Sequence, residues 1–352
     1  MKPKRVEHFQ KEMKNVTCGA NSSAVLTFDG QLYTFGSNNC GKLGIGTQKS
    51  TSVPTLIEKF EREKIFVASA AMGPNHSAVV DINGCLHTFG SNYSNLKGIG
   101  GLGHPNEEMP FLTEPKLVEE TENNLKVSAV SVGSNFTAVL TEDGEVWTCG
   151  NGSYGRLGNG TTNDNVTLAP VIGLEEEIII KICAGSSFCI ALSKSGEVFS
   201  WGRNDKGQLG LGEGLTMDVY SMENIPRKVE IEELRGDESR RIVGIAAGHN
   251  HAAAICNHGK LFIWGMSKYF EPVCIDMAHE CSDSFIIDVG CGHKYTAAVT
   301  QQGKLHTFGA GDSGCLGNGS KKSIKQPTLV EFFEEQSLKV RKISCGYNHI
   351  GV

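Results

Sequence analysis

Asp29-Gly30-Gln31-Leu32-Tyr33-Thr34-Phe35-Gly36 is a polar turn closed by glycine, then a run through aromatics to a second glycine. The pattern returns from Asn83-Gly84 to Phe89-Gly90, from Asp143-Gly144 to Cys149-Gly150 and from Ser195-Gly196 to Trp201-Gly202. It appears again from His258-Gly259 to Trp264-Gly265 and from Gln302-Gly303 to Phe308-Gly309. Successive leading glycines are 54, 60, 52, 63 and 44 residues apart. A period in this range marks an array of repeats, not one irregular domain.

Each repeat has four parts. An apolar approach ends in a small residue and glycine, as in Ile182-Cys183-Ala184-Gly185 and Ile245-Ala246-Ala247-Gly248. That is a strand whose end touches other backbone closely, where only small residues fit. The same reading singles out Gly19, Gly73, Gly133, Gly292 and Gly346 as structural glycines. A short apolar run follows, such as Ala138-Val139-Leu140-Thr141, entering an Asp/Asn/Gly turn and so pairing as a hairpin with the next segment. The third part alternates with period two, as in Glu197-Val198-Phe199-Ser200-Trp201, a strand signature. A glycine-rich loop comes fourth, for example Asn204-Asp205-Lys206-Gly207-Gln208-Leu209-Gly210-Leu211-Gly212. Behind it lies a proline-led strand, as at Pro54, Pro115, Pro226 and Pro327. Proline cannot donate to a ladder, so this strand belongs at an outer edge.

Four antiparallel strands repeated radially make a β-propeller blade. The strand ending in a small residue and glycine, the Gly-x-aromatic-x-aromatic-Gly strand and the Asn-x-x-Gly-x-Leu-Gly-x-Gly loop together resemble the regulator of chromosome condensation repeat. The resemblance runs from about Lys14 to Val352 and implies an all-β, seven-bladed propeller. The expected architecture is one domain over residues 1–352, with repeats starting near residues 14, 66, 126, 178, 242 and 285. A partial seventh copy spans residues 340–352, and Pro3-Lys4-Arg5-Val6-Glu7 reads like the proline-led strand Pro226-Arg227-Lys228-Val229-Glu230. Residues 1–13 are therefore expected to complete blade seven and close the ring, removing its open edges. A third strand for that blade has no candidate in either terminus. The alternative is a loose or helical tail on a truncated or spliced chain.

Composition narrows the function classes. Forty-three glycines are accounted for by the turns. A formal charge of −6 argues against a nucleic-acid-binding surface, which needs a basic stripe. The basic clusters, Lys2-Pro3-Lys4-Arg5 and Lys321-Lys322 with Lys325, are short. Twelve cysteines include no Cys-x-x-Cys pair, and Cys18, Cys291 and Cys345 share one repeat position. They read as reduced, buried small hydrophobes, pointing to the cytoplasm or the nucleus. No apolar stretch of membrane-spanning length and no signal segment occurs.

Gly36 to Lys42 spells a phosphate-loop pattern, but Leu43 stands where Ser or Thr must hold magnesium, and no helix begins there. His76, His251 and His349 share a slot held elsewhere by Ser22, Phe136, Phe188 and Tyr295. A slot shared by His, Phe and Tyr reads as packing, with no metal ligand set and no cofactor expected. No nucleophile, base and orienter gather in one stretch, so no enzyme is expected.

Recognition is then sought where repeats depart from their own pattern. The loop after Gly90 is lengthened and contains Tyr93, and the insertion after Gly212 carries Met217 and Tyr220. The fifth repeat loses its glycine-rich loop and carries Tyr269, Phe270, Met277 and His279. With the loop acid Asp205, these are the candidate partner-binding residues. The alternative is that they simply fold back to cover the propeller face.

Two function classes follow: a monomeric, non-enzymatic protein-interaction scaffold and, as the resemblance implies for some members, a guanine-nucleotide exchange factor for a Ran-like or other small GTPase. The basic tail of the chromatin-associated member and the tryptophan array of the plant ultraviolet-B photoreceptor are absent. Trp147, Trp201 and Trp264 all fall in third strands, where packing accounts for them.

Overall fold

The sequence alternation builds six sheets of the same design. In blade one the strands Met13–Cys18, Ser22–Thr27, Leu32–Gly36 and Thr51–Leu56 pair antiparallel in chain order. The inner strands of the other blades are Val67–Met72, Val127–Val132, Ile179–Ala184, Ile242–Ala247 and Ile286–Cys291. The second strand of every blade is buried at all six positions, which is why it reads as a continuous run of small and apolar residues. This computed structural model describes the chain except residues 7–8, 10, 95–97, 100, 106–109, 124, 213–220, 237–238 and 278–284, and not the side chains of 93–94, 98–99 and 123.

The apolar core lies between blades. Phe188, Ile190 and Leu209 of blade four pack with Ile245, Phe262 and Trp264 of blade five. Phe136 and Leu157 of blade three pack likewise with Ile182 and Trp201 of blade four. Register fixes two faces. Ser22 pairs with Gly36, and Gly36 with Thr51, so inner-strand ends and glycine-rich loops share one face, here the loop face. The Thr27–Gly30 turn and the connections between blades lie on the opposite, turn face.

The glycine-rich loops of blades one, three and four rest on the next blade. Gly46 N–H donates to Thr113 O (2.9 Å), Gly160 to Asn224 O (2.9 Å) and Gly212 to Phe270 O (3.1 Å). Buried Trp201 and Trp264 bond back through Nε1 to Arg156 O (3.1 Å) and Gln208 O (3.0 Å) in the preceding blade's loop.

The expectation of seven blades is corrected: among the described residues there are six four-stranded blades. Residues 340–352 give only a two-residue ladder, Ser344–Cys345 with Ile350–Gly351. It is seated between blades six and one by Ile343 N–H to Asp288 Oδ2 (3.0 Å), Cys18 N–H to Ser344 Oγ (2.8 Å) and Tyr347 N–H to Gly19 O (3.1 Å). Residues 1–6 form no strand. The carbonyl of Met1 instead accepts from Gly319 N–H (3.3 Å), the position that outer strands take beside other loops. The physical reason is the third strand. In a full blade it carries the ladder from the second strand outward, and among the described residues neither terminal segment supplies one, so closure by N- and C-terminal strands as a seventh four-stranded sheet is not seen there.

Candidate functional site at the loop-face channel mouth

Each inner strand ends in a glycine closely covered by neighbouring atoms, in most repeats by the ring of the slot residue three positions later. A Cβ on Gly133 or Gly185 would overlap the ring of Phe136 or Phe188. Gly292 lies under Tyr295 and Gly346 under His349 in the same way, while Gly19, Gly73 and Gly248 abut Gly73 O, Val132 and Gly292 O. The histidines of this slot do more than pack. His76 Nε2 lies 2.8 Å from Thr137 Oγ1 and His251 Nε2 lies 3.0 Å from Thr296 Oγ1, each in the next blade. Burial lowers both imidazoles to about 4, so they are neutral at physiological pH.

The residue immediately after each inner glycine rims the central channel: Ala20, Pro74, Ser134, Ser186, His249, His293 and Tyr347. The rim is tied by backbone bonds from repeat to repeat, His249 N–H to Gly292 O (3.1 Å) and His293 N–H to Tyr347 O (3.2 Å) among them. Four of these residues are small, and three consecutive ones carry rings. His293 and Tyr347 stack at 3.9 Å between centroids, and His249 stands edge-on to both at 4.7 and 5.4 Å. The Tyr347 hydroxyl lies 2.9 Å from His293 Nε2. Burial, then the neighbouring His293 and the charges of Arg203 and Lys294, lower His249 to about 4. The cluster separates a central cavity of about 190 Å³ from an adjoining one of about 210 Å³ lined by Lys294, Asp312, Ser313 and Asn348.

Asp205 lies in blade four's loop with little exposure, its carboxylate gripped bidentately by Arg203 (Nε–Oδ1 2.8 Å, Nη2–Oδ2 2.7 Å). The Arg203 guanidinium in turn covers the Tyr154 ring at 4.7 Å. In the fifth repeat the lost loop is replaced by a two-residue turn, Met266-Ser267, with φ of 58° and 56° and Lys268 N–H closing onto Gly265 O (3.1 Å). Tyr269 and Phe270 therefore open the outer strand Tyr269–Ile275, half-buried; Phe270 lies against Gly207. Tyr93 falls in a short ladder, Tyr93–Ser94 with Gly98–Ile99. Met277 packs half-buried between blades five and six beyond the outer strand, on the turn face. Met217, Tyr220 and His279 lie outside the described residues. The described candidates thus do not share one face: Tyr269 and Phe270 open the outer strand at the loop face, and Met277 follows it on the turn face.

Sequence reasoning missed the rim cluster. Its signal was available: aligning the inner glycines puts Ala, Pro, Ser, Ser, His, His and Tyr in one column. Among the described residues no group of three or more His, Cys, Asp or Glu could hold a metal ion, and no helix is long and apolar enough to cross a membrane.

Fold and rim together define a repeat β-propeller with glycine-loop blades around a channel. More particularly, the chain belongs to the RCC1-like domain family, which it matches over residues 1–352. It is 28% identical over 346 residues to the human E3 ubiquitin-protein ligase HERC2, covering 98% of this chain and 6% of that protein, so it spans a small fraction of that relative's length. Among solved structures, human WBSCR16 superimposes with a TM-score of 0.83 at 21% identity, covering 99% of this chain and 88% of that one. Prp20p of Saccharomyces cerevisiae, studied for its binding to Gsp1p and histones, gives 0.80 at 22%, covering 95% and 80%.

Proposed function

We propose that this protein is a non-enzymatic interaction scaffold whose loop-face channel mouth receives protein partners. The observation that carries the reading is the ring cluster His249, His293 and Tyr347, set into a rim otherwise built of small residues and flanked by two cavities. Aromatic rings held by their neighbours lose little entropy on contact and commonly anchor protein interfaces. The test is quantitative affinity capture from cell extract with the wild type, the double variant His249→Ala/Tyr347→Ala and, as control, the remote Ile172→Ala. A defined set of proteins lost only from the double variant, with melting unchanged, supports the reading. An identical captured set from all three overturns it.

A second reading, exchange on a small GTPase, is favoured by the likeness to Prp20p, whose described binding includes Gsp1p. Exchange needs only tighter binding of the nucleotide-free state and no catalytic triad. Release of labelled GDP from Ran-type and Rab-type GTPases is the test, and we expect no acceleration. A clear acceleration that falls on Asp205→Ala would replace the scaffold reading.

A further inference from the structure

The turn face carries a feature that the channel-mouth reading does not use. Phe28, Ile82 and Phe66 are large apolar residues exposed at 69, 63 and 52%, and Met13 beside them at 55%. The contacts make them one patch. Phe66 lies against Gly30 of the turn that Phe28 begins, with 3.1 Å from its Cβ to the position a Gly30 Cβ would take. Ile82 N–H donates to Phe66 O (2.9 Å), and Phe28 N–H to Glu12 O (3.3 Å), the neighbour of Met13.

The other blades supply an internal control. The turn position of Phe28 and Ile82 is held elsewhere by Glu142, Lys194, Asn257 and Gln301. The position of Phe66, just before the inner strand, is apolar again at Ile178 and Phe285. There the flanking turns are polar: Glu142 and Lys194 beside Ile178, Asn257 and Gln301 beside Phe285. Blade geometry therefore does not require apolar turn residues, and blades one and two alone place three apolar groups side by side. Their burial within the fold does not account for them.

We propose that this patch is a second docking site, on the face opposite the channel mouth, for a short amphipathic segment of a partner protein that offers large apolar side chains flanked by carboxylates. Size decides between occupants. Four half- to two-thirds-exposed side chains amount to an apolar area on the order of 400 Å². That is half of the roughly 800 Å² per partner that a standard stable interface needs, so it suits one helix or strand better than a second copy of this chain. Charge sets the flanks. Lys14 and Lys64 border the patch without an ion-pair partner among the described residues, and Lys126 lies along its far side against Gly84. The acids Glu12, Glu63 and Glu142 stand among them, Glu63 within 4.0 Å of Arg62 and Glu142 donating its N–H to Lys126 O (2.9 Å), while Asp29 is taken by Lys11 at 3.1 Å. In a chain of net charge −6, a border with as many lysines as unpaired acids is less acidic than the chain as a whole.

The experiment is a selection from a phage-displayed library of random 16-residue peptides on the intact chain, followed by binding of the enriched peptides to variants. We expect peptides that pair two or more Leu, Phe or Trp with Asp or Glu. Their affinity should fall at least tenfold on Phe28→Asp and on Phe66→Ser and stay unchanged on His249→Ala, which separates this site from the channel mouth. Should Phe66→Ser fail to fold, Phe28→Asp/Ile82→Asp replaces it, since both side chains are more than 60% exposed. No enrichment, or peptides that bind the variants equally well, overturns the proposal. So does co-sedimentation with phosphatidylcholine–phosphatidylserine vesicles abolished by Phe28→Asp, which would assign the patch to a lipid surface. A concentration-dependent dimer abolished by the same substitution would assign it to a second copy and overturn the proposal as well.

Discussion

His349 Nε2 lies 2.9 Å from Ser23 Oγ, joining the last repeat segment to the first full blade across 326 residues of chain. The bond repeats the one from His76 to Thr137 and from His251 to Thr296, so the ring is closed by the same side-chain link that joins successive blades. Tyr295 serves similarly, its hydroxyl donating to Gly346 O (2.9 Å) and His349 O (2.6 Å). With six full blades and a two-residue ladder, closure rests on such single contacts more than on a sheet.

Removing the His349 partner should therefore loosen the ring. His349→Ala leaves the buried Ser23 hydroxyl with only the weak Cys18 Sγ contact at 3.7 Å, a loss of about 1–3 kcal/mol. In chemical denaturation the variant should unfold at lower denaturant than the wild type, whereas the exposed His258→Ala should not. Equal midpoints for His349→Ala and wild type would mean that the terminal ladder contributes nothing to stability.

The buried imidazoles give the fold an acid limit. His76 and His251 are lowered by burial from 6.5 to about 4, so the unfolded chain takes up protons that the folded one refuses. Stability from these groups is complete above pH 6.5 and is lost as pH falls toward 4, by up to about 3 kcal/mol each. The shifts of His249 and His349 have the same sign. Denaturation midpoints should fall between pH 7 and pH 4.5. His251→Phe, which places there the residue that Phe136 and Phe188 supply in other blades, should flatten the dependence. A pH-independent midpoint in the wild type would contradict the neutral, buried state.

The inner glycines should tolerate no side chain. At Gly185 any Cβ meets the Phe188 ring, so Gly185→Val forces that ring out of the core between blades four and five. Overpacking of this kind costs about 1–3 kcal/mol or more, and the measured melting temperature should drop by several degrees. A soluble variant melting like the wild type would contradict it.

Much of the blade was legible because its chemistry is local. The period-two run Glu197 to Trp201, the Asp and Asn turns and the glycine before each slot residue depend on neighbours a few positions away. Blade number was not local. It depended on whether residues 1–13 and 340–352 could form a blade without a third strand; among the described residues only 340–352 makes a ladder, of two residue pairs. The rim cluster escaped because His249, His293 and Tyr347 are single residues between glycine and the next strand, brought together only by ring curvature. By sequence alone the histidine slot reads as packing. It was seen as a link only once Thr137, Thr296 and Ser23 stood opposite. Tyr269 and Phe270 looked like loop residues because a deletion in a repeat does not reveal that its remainder becomes a tight turn and a strand.

That turn yields a last prediction. Met266 and Ser267 both have φ near +57°, a backbone region in which ordinary side chains cost roughly 1–2 kcal/mol per residue and which two-residue hairpins normally fill with Asn-Gly. Met266→Asn/Ser267→Gly should relieve this, raising stability by about 1 kcal/mol without moving Tyr269 or Phe270, whose strand is fixed by Gly265 pairing with Tyr269 and by Gly212 bonding to Phe270 O. Phe270→Ala should act in the opposite sense, because it leaves Gly207 without its contact and loosens blade four's loop. Partner capture by Tyr269→Ala/Phe270→Ala is therefore to be read against its melting temperature. If the Asn-Gly variant captures partners as well as the wild type and melts higher, the strained turn is a by-product of the shortened loop. If it melts higher and captures less, the strain positions Tyr269 and Phe270 for contact. A variant that melts lower would show that Met266 packs in a way the turn geometry does not convey and would overturn the prediction.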